Sequence, residues 1–310
     1  MDQSSDNPAG NKLGASINEP NLVRAIRGSG YPLQGVVAYG LKGSFRVAEE
    51  WGYIDRDTKE HRSLDIFASK MTPAEGTVQP GLALLVECKR SINPYVFFRN
   101  VIDREILGFP KIGGLTGSTM FLKEMKSNRV LQTLGTVTLG LAELPFVRPG
   151  PPHCSAFAMA TAQGDKVQMS GEDPYKSLIL PLTKAMDHAV GLYQAGDHPT
   201  SLYPTIILAV AILDAPILVV DNPRDPAPAL TPWVRVPRQE ARANHAWGSH
   251  VYYVVDMVHA DFLDQFISTH LIPFFDEFAS RSIKLSSVLF KGGAVENLDR
   301  WRWDEVKPQS

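Results

Sequence analysis

The chain has 310 residues, 44% of them hydrophobic, and a formal net charge of −2. Such a chain can bury a sizeable core in one large domain or two smaller ones, and its near-neutral balance excludes a global pull toward nucleic acid, so any such affinity needs a local basic surface. Its two cysteines, Cys88 and Cys154, are too few for a disulfide framework or a cysteine-ligated zinc centre and fit a reducing, cytoplasmic setting.

Residues 1–18 are polar, rich in Ser, Asn and Gly, and read as a disordered tail. The start, Met1-Asp2-Gln3-Ser4-Ser5-Asp6, has neither the basic residues nor the apolar run of a secretory signal. Asn21 is a candidate cap for a short helix through Ile26, and Pro32 favours the start of a second helix over residues 31–42. Residues 45–53 read as a strand, residues 55–60 as a polar turn and residues 63–68 as the returning strand of a hairpin. A loop carrying Pro73, Gly76, Pro80 and Gly81 leads into a third strand over residues 82–89.

The third strand is unusual. One side reads Leu82, Leu84, Val86, Cys88; the other reads Ala83, Leu85, Glu87, Lys89, beginning apolar and ending charged. That is how a central strand looks when both faces are covered and its C-terminal end opens into a cleft. Asp65 is likewise set among apolar residues, between Leu64 and Ile66. Burying a charge costs several kcal/mol unless it is paired or bound to a metal, roughly speaking, so three such groups at strand ends point to a site. On neighbouring strands Asp65 and Glu87 would have β-carbons about 4.5–5.5 Å apart, close enough to share one divalent cation. The structural alternatives are an ion pair of Asp65 with Arg62 or Lys89, and a rim salt bridge between Glu87 and Lys89.

An Asp on one strand followed by Glu-x-Lys on the next, after a helix and a hairpin, resembles the PD-(D/E)xK nuclease superfamily, the restriction-endonuclease-like fold. The match is Asp65 with Glu87-Cys88-Lys89, and it covers about the first hundred residues. The resemblance implies an α/β domain over residues 19–290: a mixed central sheet started by the hairpin, flanking helices, a helical insertion at about residues 100–200, and a C-terminal tail over 291–310. It implies metal-dependent hydrolysis of phosphodiester bonds, with Asp65 and Glu87 holding Mg²⁺, or Mn²⁺ in its place, and Lys89 as the catalytic cation. DNA is the implied substrate in preference to RNA, and self-association is left open. Family members often add an acid from the preceding helix, and here Gln34 stands at that place, contributing an amide oxygen without charge. Glu49, favoured over Glu50, is the candidate further ligand on the first strand, the register deciding between them. The rival from another class is a catalytically silent nuclease-fold protein that binds nucleic acid or protein.

Cations that could meet phosphates are Arg90, Arg99, Arg104 and Lys111, with Lys123, Lys126 and Arg129 further on; scattered cations are also simply solvated surface. The aromatic run Tyr95-Val96-Phe97-Phe98 reads as core. The glycine-rich loop at residues 108–118 lacks the Lys-Ser/Thr ending of a P-loop. Residues 172–195 read as a helix and residues 205–220 as two strands turning at Asp214-Ala215-Pro216. Residues 222–232 read as a surface loop, 251–255 as a strand and 261–278 as an amphipathic helix. The longest apolar stretch is broken by Asp214 and Pro216 and is too short to span a membrane. His245, His250, His259 and His270 match no metal-ligand spacing, and Trp301 and Trp303 are suited to docking the tail.

Overall fold

The computed structural model describes residues 6–73, 76–99, 109–115, 119–124, 130–193, 195, 200–241, 250–286, 289 and 294–295. Helix α1 (Glu19–Gly28) starts at Asn18, whose side chain accepts from the Asn21 N–H at 2.9 Å. Asn21 is therefore the donor inside the first turn, and the cap lies three residues before the expected position. Helix α2 (Tyr31–Lys42) has Pro32 in its first turn and buries Leu33, Gln34, Val37, Ala38 and Leu41 along one side. Two later helices, α3 (Leu180–Leu192) and α4 (Ile272–Lys284), each follow a π-helical segment.

In chain order the strands are β1 (Arg46–Ile54), β2 (His61–Met71), β3 (Gly81–Arg90), β4 (Tyr95–Arg99), β5 (Lys111–Gly113), β6 (Thr119–Glu124), β7 (Val130–Leu134), β8 (Cys154–Gln163), β9 (Lys166–Ser170), β10 (Thr205–Asp214), β11 (Ile217–Val220), β12 (Pro228–Leu230), β13 (Trp233–Ala241), β14 (His250–His259) and β15 (Ala294–Val295). The central sheet runs β1-β2-β3-β10-β14-β13, with β5 also paired to β10. Strands β1, β2 and β3 form an antiparallel meander, β3, β10 and β14 are parallel, and β13 returns antiparallel on β14. The hairpin between β1 and β2 closes at the expected polar turn, where Asp55 Oδ1 accepts from the N–H groups of Asp57 at 2.9 Å and Thr58 at 3.4 Å. A second mixed sheet runs β12-β11-β4-β8-β9, and β15-β6-β7 form a third.

Both faces of the central sheet are covered at its inner strands β3 and β10, while the edge strand β1 is largely exposed. Leu82, Leu84, Val86 and Cys88 face a core shared with α2 and α4, while Ala83 and Leu85 face a second core built from α3 and from Tyr95 and Phe97 of the second sheet. Strand β10 is buried from Thr205 to Leu213, which is why its sequence is a continuous apolar run without alternation. On β13 and β14, Arg235 and Asp256 lie opposite each other and form a fully buried pair, Nε to Oδ1 at 2.8 Å and Nη2 to Oδ2 at 3.2 Å. Trp233 Nε1 donates to the same Asp256 oxygen at 2.9 Å, and Arg235 Nη1 donates to the Phe146 carbonyl at 2.8 Å.

Two expectations are corrected. The segment near residues 100–200 is not chiefly helical: its described part carries β5 to β9 before reaching α3. Strands β8 and β9 form a hairpin through the two-residue loop Gly164-Asp165, with Gly164 at φ 59°, a backbone position that glycine takes without steric penalty. The strands at residues 205–220 exist, but they do not pair with each other. Both edges of β10 are occupied by β3 and β14, so the chain turns at Pro216 into the second sheet, where β11 pairs with β4. Among the described residues no helix is long and apolar enough to cross a membrane.

Candidate functional site

The site lies where the meander's ladders open. Pairing of β1 with β2 includes Glu49 with Ile66 and Trp51 with Leu64 but skips the intervening Glu50 and Asp65, and pairing of β2 with β3 ends at Ile66 and Val86, one step short of Asp65 and Glu87. Glu50 has a left-handed backbone, φ 49°, an uncommon state for a residue with a side chain inside a strand. Alternation breaks at the same point: Ile66 packs in the core under α2, whereas Leu64 packs in the core on the other face.

Opening a ladder strands backbone groups, and side chains take them up. The Asp65 carbonyl accepts from Gln34 Nε2 at 3.0 Å, and the Cys88 N–H donates to Asp65 Oδ2 at 2.7 Å. Gln34 Nε2 also donates to Glu50 Oε1 at 3.0 Å. With both donors used, the amide is fixed in orientation and its Oε1 is the atom left to accept or to ligate. Helix α2 thus ties β1 and β2 together at the site, through a residue that is only 7% exposed.

Glu87 is 6% exposed, and the Lys89 ammonium donates to its Oε1 at 2.5 Å. Burial, and then the charge of Asp65, push the Glu87 carboxyl up to about 7 against the pull of Lys89. Burial also raises Asp65 above its ordinary value, opposed by the Cys88 N–H and by Lys89 and reinforced by Glu50. Burial alone would lower Lys89, but the Glu87 charge and hydrogen bond, together with Asp65, leave it raised. The group is therefore a pair of desolvated carboxylates that repel one another, with one ammonium between full burial and solvent.

Of the residues singled out in the sequence, Asp65, Glu87, Lys89 and Gln34 are brought together. Glu49 instead pairs with Lys42 at 3.2 Å on the exposed side, and Glu50, the other candidate on β1, is the one that meets Gln34. The β1–β2 register was the signal that chooses between them. Arg62, a possible partner of Asp65, pairs instead with Asp55 at 3.1 Å and Glu60 at 3.0 Å. Arg90 pairs with Asp214 at 2.9 Å and Arg99 with Asp221 at 3.1 Å. Lys111 and Lys123 lie on β5 and β6, while Arg104, Lys126 and Arg129 lie outside the described residues. His259 Nδ1 accepts from the Asp261 N–H at 3.2 Å and His270 packs on Trp233 with centroids 5.1 Å apart; His250 starts β14, and His245, Trp301 and Trp303 fall outside the described residues.

Among the described residues no group of three or more His, Cys, Asp and Glu side chains forms a metal cage. The donor chemistry nevertheless suits a hard divalent cation: two carboxylates whose mutual repulsion a bound cation would relieve, leaving further positions to water. A cleft of about 440 Å³ opens at the C-terminal ends of the parallel strands, lined by Ser91, Asp214, Ile217, Thr231 and His259 among others and not by Asp65, Glu87 or Lys89. No family model, curated protein or solved structure matches the chain.

Proposed function

We propose that this chain is a metal-dependent nuclease of the PD-(D/E)xK type that hydrolyses phosphodiester bonds, in DNA before RNA. The observation that carries the reading is a buried Glu87 beside a half-buried Asp65 where the strand ladders open, with Lys89 Nζ 2.5 Å from Glu87. The order helix, three-stranded meander and parallel β10 supports the restriction-endonuclease-like arrangement.

Asp65 and Glu87 would hold Mg²⁺ or Mn²⁺, and Gln34, whose Nε2 hydrogens are taken by Glu50 and the Asp65 carbonyl, would offer its Oε1 as a neutral donor. When bound, the cation polarises the phosphoryl oxygen and lowers the pKa of a bound water. The Cys88 N–H and the Gln34 amide fix Asp65 from two sides, so its carboxylate is oriented before any ligand arrives. Lys89, raised above its ordinary value, stays protonated at neutral pH and acts as a charge beside the developing phosphorane; it is a poor proton acceptor.

A second reading, a silent binding module of the same fold, is favoured by Gln34 standing where an acid would strengthen the cation site. Incubating the purified chain with plasmid, linear and single-stranded DNA plus Mg²⁺ or Mn²⁺, beside Lys89→Ala and Asp65→Asn, separates the two. The nuclease reading expects cation-dependent cutting that falls at least about a hundredfold in either variant. No cutting by the natural chain supports the module, and cutting retained by Lys89→Ala removes its assigned role.

A further inference from the structure

Helix α2 has two faces with different tasks. Its inward face delivers Gln34 to the candidate site. Its outward face leaves Tyr31, Val36 and Tyr39 in solvent at 76%, 70% and 80% exposure. Tyr31, Gly35 and Tyr39 follow one another at one-turn spacing, so the two rings flank a stretch of bare backbone. A β-carbon built on Gly35 would meet nothing within 4 Å. Helix α1 beside it buries none of its residues and leaves Ile26 half exposed.

Positive charge gathers on these two helices and at the start of β1, past the single acid Glu19 that opens α1. From Pro20 to Ala48 the sequence contains Arg24, Arg27, Lys42 and Arg46 and no Asp or Glu, in a chain of net charge −2. Lys42 meets Glu49 at 3.2 Å; among the described residues no ion pair involves Arg24, Arg27 or Arg46. The surface adjoins the site. Arg90, the residue after Lys89, donates through Nη1 to the Arg27 carbonyl at 2.6 Å, and a β-carbon on Gly30 would stand 3.9 Å from the Cys88 carbonyl. The junction of α1 and α2 therefore lies against the end of β3 that carries Glu87 and Lys89.

We propose that single-stranded nucleic acid lies along this face on its way to the site, with unpaired bases stacked on Tyr31 and Tyr39 and phosphates met by Arg24, Arg27 and Arg46. The proposal rests on the nucleic-acid reading above and names the form of the substrate. Exposed rings on a convex helix can stack only on bases whose faces are free, which a duplex hides. The two tyrosines stand about 12 Å apart along the helix, room for several stacked nucleotides at about 3.4 Å each. An anionic lipid surface would also attract cations beneath exposed apolar side chains. The aromatic character of the exposed residues and their sharing a helix with Gln34 favour nucleic acid.

The test is fluorescence anisotropy of a labelled, short, mixed-sequence single-stranded oligonucleotide with the full chain in EDTA, so that binding is read without turnover. Tyr31→Ala with Tyr39→Ala weakens binding by about tenfold or more per ring, whereas the two Tyr→Phe changes preserve it. Arg24→Ala with Arg27→Ala flattens the slope of log K against log salt by about 0.7 per cation removed. All four side chains are exposed, so unchanged circular dichroism and melting verify folding. The proposal is overturned by absent oligonucleotide binding, by equal binding in the Tyr→Ala variant, or by phosphatidylserine vesicles binding in a tyrosine-dependent way where the oligonucleotide does not. Oligonucleotide binding by a chain that never cuts would defeat the catalytic reading alone, and cutting with tyrosine-independent binding would defeat this one alone.

Discussion

Glu87 changes its protonation near neutral pH. Its folded-state pKa, about 7, lies above the value of 4.5 for the group in water. Its contribution to stability is thus fully present below pH 4.5 and is lost as pH rises through about 7. Glu87→Gln should flatten that part of the stability profile and stabilise the chain at pH 8 by on the order of 1–3 kcal/mol. Denaturant melts of both proteins at acid, neutral and mildly alkaline pH would check it, and parallel profiles would show that Glu87 does not set the slope. A divalent cation held here as proposed would need the ionised carboxylate, and its affinity is then expected to rise with pH over the same window. At this scale the sequence was informative: acids inside apolar strands stand out because burying them is costly. It could not choose Glu50 over Glu49, because a register step is set by where the hairpin turn closes, and neither glutamate differs from the other in composition.

At the scale of element pairs, β13 and β14 are joined by a fully buried ion pair, Arg235 with Asp256. The Arg235 guanidinium lies over the rings of Phe109 and Phe146, 4.4 and 4.7 Å from their centroids, and Asp256 neutralises it. Removing the carboxylate in Asp256→Ala leaves a buried, uncompensated cation, and the expected loss is about 3–5 kcal/mol. Replacing both partners with apolar residues, Arg235→Met with Asp256→Leu, should recover most of that loss, since burying two charges is itself unfavourable. Equilibrium unfolding of the single and double variants measures both; equal losses would mean that packing of the long side chain matters more than charge. Helices and strands with regular periodicity were legible in the sequence, among them α2, β3 and β14. The hairpin of β8 and β9 was not, because Cys154–Gln163 is rich in alanine, which marks neither period clearly. The separation of β10 from β11 was hidden too, since which sheet a strand joins depends on whose edges are already filled.

For the molecule as a whole, the central and second sheets share one apolar core, in which Leu85 and Leu213 meet the same cluster as Tyr95, Phe97 and Cys154. Neither sheet can open without exposing the other, so the two should unfold together. The cysteines report on this directly: Cys88 is buried on β3 and Cys154 on β8, and burial pushes the Cys154 thiol up to about 12, out of the reactive range. Thiol labelling of Cys88→Ala and Cys154→Ala proteins across a denaturant series should give coincident midpoints. Earlier labelling of Cys154 would mean that the second sheet detaches first.

The central position of β10 also governs how the chain is made. Strand β3 emerges from the ribosome with its partner on one side, β2, already present and its partner on the other, β10, still untranslated beyond β4, β8 and β9 of the second sheet. At about 5–20 residues per second, that delay lasts from several seconds to tens of seconds. Throughout it, a nascent chain displays an unsatisfied apolar strand edge, a surface that holdase chaperones would shield and that a prematurely terminated product would carry permanently.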